Sequence, residues 1–269
     1  MKTRTADFTI TVDLTNDGFL RTPREEQHNW LVGRATEELA ADLTHLDTVA
    51  RRLVTGTDRP AIRNTWSDSR AEYDDSQLII EDQQVMQDWE TPLMAAMARC
   101  VTRGGGDVLE LGFGMGISAT RILREGVRSY TVIEANADVQ ERFADWAAAR
   151  PGQEVRLVPG RWQDVLDGLG EFDGIFFDTY PADEEEYLAY VVDDVTFAAH
   201  FFPHAAAHLR PGGVFTYYSN EIDSLGRGHQ RALLEHFSSF SVEVVRDLKP
   251  PADCHYWWAD SMVVVKAIK

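Results

Sequence analysis

Only two cysteines, Cys100 and Cys254, occur in 269 residues. That is too few for a cysteine-ligated metal cluster, and they lie too far apart in sequence to read as a disulfide framework. With no leader-like or long apolar run, this scarcity points to a reducing, cytoplasmic setting and to no metal site. Positive charge is scarce as well: 26 Lys and Arg stand against 44 Asp and Glu, a net charge of −18. Without a basic stripe, nucleic acid and anionic membrane are poor partners, because the field of the chain repels them. No apolar stretch approaches the ~20 residues of a membrane-spanning helix. Internal repeats and low-complexity tracts are absent too. The length suits one large α/β domain with an accessory segment, burying about three quarters of its unfolded surface without covalent staples.

Residues 1–63 have their own pattern. Phe8, Ile10, Val12 and Leu14 alternate with polar residues and predict a half-buried strand ending at Asn16-Asp17-Gly18. Thr22-Pro23-Arg24-Glu25 has the form of a capping box with proline at the first helical position. Leu39, Leu43, Leu46, Ala50 and Leu53 then recur at helical spacing and must pack on the rest of the chain or on a second copy, so a homodimer through this extension is one expectation. A linker is expected over 56–63.

From Asp107 onward strands and helices alternate. Strands are predicted at 107–112, 129–134, 155–158, 172–178, 213–218, 242–248 and 262–267, which implies a mainly parallel sheet covered by helices on both faces. Ligands then belong at the carboxyl ends of the strands. The first strand runs straight into Gly112-Phe113-Gly114-Met115-Gly116-Ile117-Ser118. Glycines there allow a tight turn and close backbone approach, and the helix that follows offers free N–H groups. Dinucleotides and S-adenosylmethionine (SAM) both use such a loop. Position 117 is isoleucine, so the dinucleotide form G-x-G-x-x-G is not met. Glu110, two residues ahead of the first glycine, would repel a pyrophosphate but suits the amino-acid end and sulfonium of SAM. Glu134 closes the second strand, where an acid accepts ribose hydroxyls, and Ala135 and Asn136 follow it. Arg161, Trp162 and Asp164 after the third strand offer an adenine platform and polar partners. The sequence thus favours SAM over a nicotinamide cofactor.

Four further stretches carry a resemblance: Trp89-Glu90-Thr91-Pro92, Gly112-Phe113-Gly114-Met115, Phe177-Asp178-Thr179-Tyr180-Pro181 and Pro250-Pro251-Ala252-Asp253-Cys254. In this order and spacing, the chain from about Trp66 to its end resembles the guanidinoacetate N-methyltransferase family and the related arginine methyltransferases. The resemblance implies a class I SAM-dependent methyltransferase, a Rossmann-like core over 107–269 with lid and substrate-binding helices over 64–106. It places Trp66, Tyr73, Met86, Met94, residues Phe113 to Ser118, Glu134 and Trp162 about the cofactor, with Trp66 and Tyr73 in the lid. It also implies that Glu90 and Asp178 hold a guanidinium, with Tyr180 beside them.

Two carboxylates suit that chemistry. A guanidinium pairs with carboxylates through charge-assisted hydrogen bonds worth about 1.5–3 kcal/mol each, which fixes one nitrogen in line with a methyl donor. Full deprotonation of a group of pKa about 13.8 costs roughly 9 kcal/mol at pH 7, so the proton is expected to leave as the new N–C bond forms. Asp178, just past a strand end, is the expected base and Glu90 the orienting acid; the reverse assignment stays open. The family's substrate-carboxylate site maps onto Asn220-Glu221, where a glutamate would instead suit a cation such as the α-ammonium of arginine. Free arginine or a similar small guanidino amino acid is therefore expected ahead of guanidinoacetate, with protein arginines or a non-catalytic SAM-binding module as further readings. Plainer roles exist for each residue: Asp178 as a helix cap, Glu90 as a solvated helix-start residue, and Trp162 as core. His200, His204 and His208 fall on one helical face without a completing ligand, and read as an ordinary helix surface.

Overall fold

The computed structural model describes residues 62–192 and 194–269. The strand, helix and leucine stripe expected before residue 62, and the linker through residue 61, lie outside these residues. The chain divides after Asp58, and the described residues belong to the second of its two units.

Three short strands, β1 (Ala71–Tyr73), β2 (Gln77–Ile80) and β3 (Gln83–Gln87), form an antiparallel meander. Seven more, β4 (Asp107–Leu111), β5 (Ser129–Glu134), β6 (Val155–Pro159), β7 (Phe172–Phe177), β8 (Leu209–Tyr217), β9 (Ser239–Val245) and β10 (Met262–Ile268), build the main sheet in the order β6-β5-β4-β7-β8-β10-β9. Strands β4 to β8 run parallel, and β10 lies antiparallel to both its neighbours. The principal helices are α1 (Thr91–Thr102), α2 (Ile117–Arg124), α3 (Ala137–Ala148), α4 (Trp162–Val165), α5 (Phe202–His208) and α6 (Arg227–His236). This is the mainly parallel sheet expected from the alternation, in the class I methyltransferase form that the resemblance implies.

Covered on both faces, the central strands are almost wholly apolar: Val108, Leu109 and Leu111 of β4 and Ile175 and Phe176 of β7 have no exposed surface. Helices α1, α2 and α3 close one face around Met94, Met97, Phe113 and Trp257. Helices α5 and α6 close the other around Phe201, Phe215, Tyr217 and Leu233. Among the described residues no helix is long and apolar enough to cross a membrane.

Two expectations are corrected. Residues 64–106 hold the β1–β3 meander in addition to helical segments, which are short turns at Trp66–Asp68 and Asp88–Glu90 and the long α1. Asp74 turns the chain by accepting the Ser76 and Gln77 N–H groups at 2.7 and 2.9 Å, and Glu81 and Asp82 make the second turn in left-handed backbone, φ 51° and 63°. Leu78 and Ile80 bury one side of the meander. Strand β8 begins at Leu209, not at residue 213. Its Pro211-Gly212 stretch is absorbed as a bulge, since Phe172 pairs with Leu209 and Gly174 with Val214.

Candidate active site

The carboxyl ends of β4, β5 and β7 meet where the strand order reverses, the usual position for a ligand in an open α/β sheet. Gly112 ends β4 with φ +87°, and a Cβ there would lie 2.2 Å from the Asp178 carbonyl oxygen. Only glycine lets the β4 and β7 ends close in this way, sealed by the Asp178 N–H donating to Leu111 O at 3.1 Å. Gly116, also left-handed, starts α2, whose first N–H groups face the loop.

The residues expected about SAM converge here. Glu134 is buried at the end of β5, and burial pushes its carboxyl up from the ordinary range. Its two oxygens accept the Phe113 and Asn136 N–H groups at 2.9 and 2.8 Å, leaving lone pairs for further donors. Over the loop lies the meander: the Tyr73 hydroxyl donates to Gly114 O at 3.2 Å and the Met115 N–H to Met86 Sδ at 3.4 Å. Asn136 donates to the carbonyls of Trp66 and Ser69 at 2.7 Å each, and the Trp66 ring stacks on Tyr180 at 5.5 Å. The Tyr180 hydroxyl in turn donates to Gln83 at 2.9 Å. Glycine backbone, helix N-terminus and a buried acid for a diol form a donor and acceptor set that fits SAM. Gly112 to Ser118 would hold its methionyl part, and Glu134 its ribose.

Other members of the expected set are placed differently. Glu110 is wholly buried and accepts hydrogen bonds from the hydroxyls of Ser118 and Tyr130, and burial pushes its pKa up to about 8. It ties β4 to α2 and β5, each of its oxygens taken up by one of the two hydroxyls. Met94 is core, without exposed surface. Arg161 pairs with Glu186 at 3.3 Å. Trp162 packs edge-on against Phe201 and His204, with ring centres 5.0 and 5.1 Å apart, in an aromatic cluster beside His200.

Glu90 and Asp178 come together as the motifs imply. Glu90, 2% exposed, leads into α1; its Oε1 accepts the Gln87 N–H and the Tyr256 hydroxyl, both at 2.7 Å. Asp178 is half-buried just past β7, and its carboxylate has no hydrogen-bond partner among the described residues. Burial raises both carboxyls above the usual range, and for Glu90 the charge of Asp178 adds to this. No basic side chain among the described residues pairs with either.

Glu221 does not join that pair. Its Oε1 meets His229 Nδ1 at 3.0 Å and the Gly226 N–H at 3.2 Å, and His229 Nε2 is bonded to the Tyr217 hydroxyl. Tyr217 belongs to the α5–α6 face of the sheet, so Glu221 braces the start of α6. Asn220 is exposed, in left-handed backbone at φ 57°. Tyr218 and Tyr256, which the sequence reading did not single out, stand by the acidic pair instead. For Tyr218 the strand alternation held the clue, since its side chain must oppose that of Tyr217.

A family model for guanidinoacetate N-methyltransferase matches residues 54–269. Protein arginine N-methyltransferase 2 of Yarrowia lipolytica is 35% identical over 159 residues, 54% of this chain and 31% of that one. The Saccharomyces cerevisiae protein of the same name is 28% identical over 187 residues, 64% of this chain and 40% of its own. The chain thus spans only about a third to two fifths of the length of these relatives. A spermidine synthase solved with the transition-state analogue AdoDATO shares the fold, with TM-score 0.52, 15% identity, and coverage of 74% of this chain and 72% of that one. With four fifths of the chain inside the family model, the protein belongs to the guanidinoacetate N-methyltransferase family.

Proposed function

We propose that the enzyme transfers the methyl group of SAM to a guanidino nitrogen of a small molecule. One observation carries the reading: two neighbouring carboxyls, the buried Glu90 and the half-buried Asp178, stand beside the glycine loop with no cation among the described residues to satisfy them. Like charges in low dielectric keep a proton between them until a cation arrives. A guanidinium is that cation in shape as well as charge, since its N–H edges match two carboxylates.

The two acids divide the work. Glu90 is already oriented by Tyr256 and Gln87, and those donors reduce its basicity. Asp178 carries no such donors and is the better proton acceptor. As the guanidino nitrogen forms its bond to the methyl carbon, the carbon–sulfur bond breaks. S-adenosylhomocysteine leaves as the neutral thioether, and the proton from the attacked nitrogen passes to Asp178. SAM supplies the electrophilic methyl; the protein supplies alignment, two anions and a proton acceptor.

The names of the curated relatives favour a second reading, an arginine side chain within a protein. Incubation with SAM and, separately, arginine, guanidinoacetate and an arginine-containing peptide distinguishes the two. S-adenosylhomocysteine formed together with the mass gain of one methyl on arginine or guanidinoacetate supports the proposal. Methylation of the peptide alone supports the second reading, and turnover of no guanidine defeats both.

A further inference from the structure

The Tyr218 hydroxyl is buried and has no hydrogen-bond partner. A phenol buried without a partner is costly, and native structures rarely keep one without a use for it. Its position in the sheet suggests the use. Phe177 of β7 pairs in parallel register with Tyr217 of β8, and the Tyr218 N–H donates to Phe177 O at 3.2 Å. Phe177 and Tyr217 both point to the α5–α6 face. One residue on, Asp178 and Tyr218 are therefore neighbours on the opposite face, and the Tyr218 ring packs there with the cluster that includes Trp89 and Tyr256.

We infer that Tyr218 is a substrate-positioning residue, its hydroxyl oxygen accepting a guanidino N–H as a third acceptor beside Glu90 and Asp178. This rests on the guanidino reading above. A guanidinium has five N–H donors and no acceptor, so the phenol must receive rather than donate toward it. Its own hydrogen then points away from the cation. Burial, and next the charges of Glu90 and Asp178, hold the phenol well above its ordinary pKa, so it keeps that hydrogen. Three acceptors around a planar cation fix its rotation about the axis joining the two acids, which two carboxylates alone leave looser.

Tyr218→Phe keeps the ring and removes the oxygen. A hydroxyl that is satisfied only by substrate leaves the free enzyme no worse without it. The melting temperature of the variant without substrate should therefore equal or exceed that of the parent, while KM for the guanidine rises about 10-fold or more with SAM affinity unchanged. A lower melting temperature without substrate would show the hydroxyl to be structural. An unchanged KM, in an enzyme whose parent turns over the guanidine, would overturn the inference and leave the proposed function standing. A parent that turns over no guanidine removes both. A change in SAM affinity would assign the hydroxyl to the donor site and overturn the inference as well.

Discussion

Glu90→Gln isolates the acidic pair with little change of shape. The amide oxygen can still accept from the Tyr256 hydroxyl and the Gln87 N–H, now both at 2.7 Å, so the helix entry should keep its form. What changes is the other atom, where an NH₂ donor replaces an anionic acceptor and opposes the N–H donors of a guanidinium. Loss of a charge-assisted bond is worth about 1.5–3 kcal/mol, and the donor–donor conflict adds to it, so guanidine affinity should fall by roughly 10²-fold. Proton counting tests the cause. In the free enzyme burial and mutual repulsion raise both carboxyls, so near neutral pH the pair retains a proton that a bound guanidinium expels. Calorimetric titration in buffers of different ionisation enthalpy should find a proton released on guanidine binding by the parent, and less by Glu90→Gln. Parental kcat/KM should also rise with pH as the pair ionises. Stability runs the opposite way. A carboxyl raised by folding binds its proton more tightly in the folded state, so its contribution is lost as pH climbs from the ordinary carboxylate range through the raised value. Glu90→Gln should therefore melt higher than the parent at pH 8–9, with a smaller difference at pH 5. Unchanged affinity and unchanged proton release in the variant would refute the pairing of Glu90 with a cation.

Asp178→Asn should cut kcat by about 10²-fold or more while S-adenosylhomocysteine still binds, as single-turnover and binding assays can show; near-normal turnover would remove Asp178 as the proton acceptor. Gly112→Ala forces a methyl to 2.2 Å from the Asp178 carbonyl in left-handed backbone, so it should abolish measurable cofactor binding and lower the melting temperature. Tyr73→Phe loses only the bond to Gly114 O at 3.2 Å, worth about 0.5–1.5 kcal/mol, and should weaken cofactor binding by several-fold in a fluorescence titration with little effect on stability.

Much of this protein was decided locally. Apolar runs such as Val108 to Leu111 and Phe172 to Phe177 must be buried on both faces, so their alternation with helical stretches already specifies a parallel sheet. The glycines after β4 announce a close backbone approach wherever they occur. Glu90 and Asp178 could be named because each sits in a short distinctive motif next to an element boundary. The meander over residues 71–87 was not legible in this way: its tight turn uses Glu81-Asp82 instead of Asn-Gly, and it is stabilised by distant partners such as Gly114 and Asp138. Nor could the sequence assign Glu110, whose burial and two hydroxyl partners, Ser118 and Tyr130, tie its carboxyl into the packing of β4 against α2 and β5. The clearest division falls at the end of β8. Composition places Tyr217, Tyr218, Asn220 and Glu221 near a strand end, but which side chain reaches the acidic pair depends on the face each takes. Pairing with Phe177 and packing under α6 send Tyr217 and Glu221 one way and Tyr218 the other, a choice that exists only once the sheet is assembled.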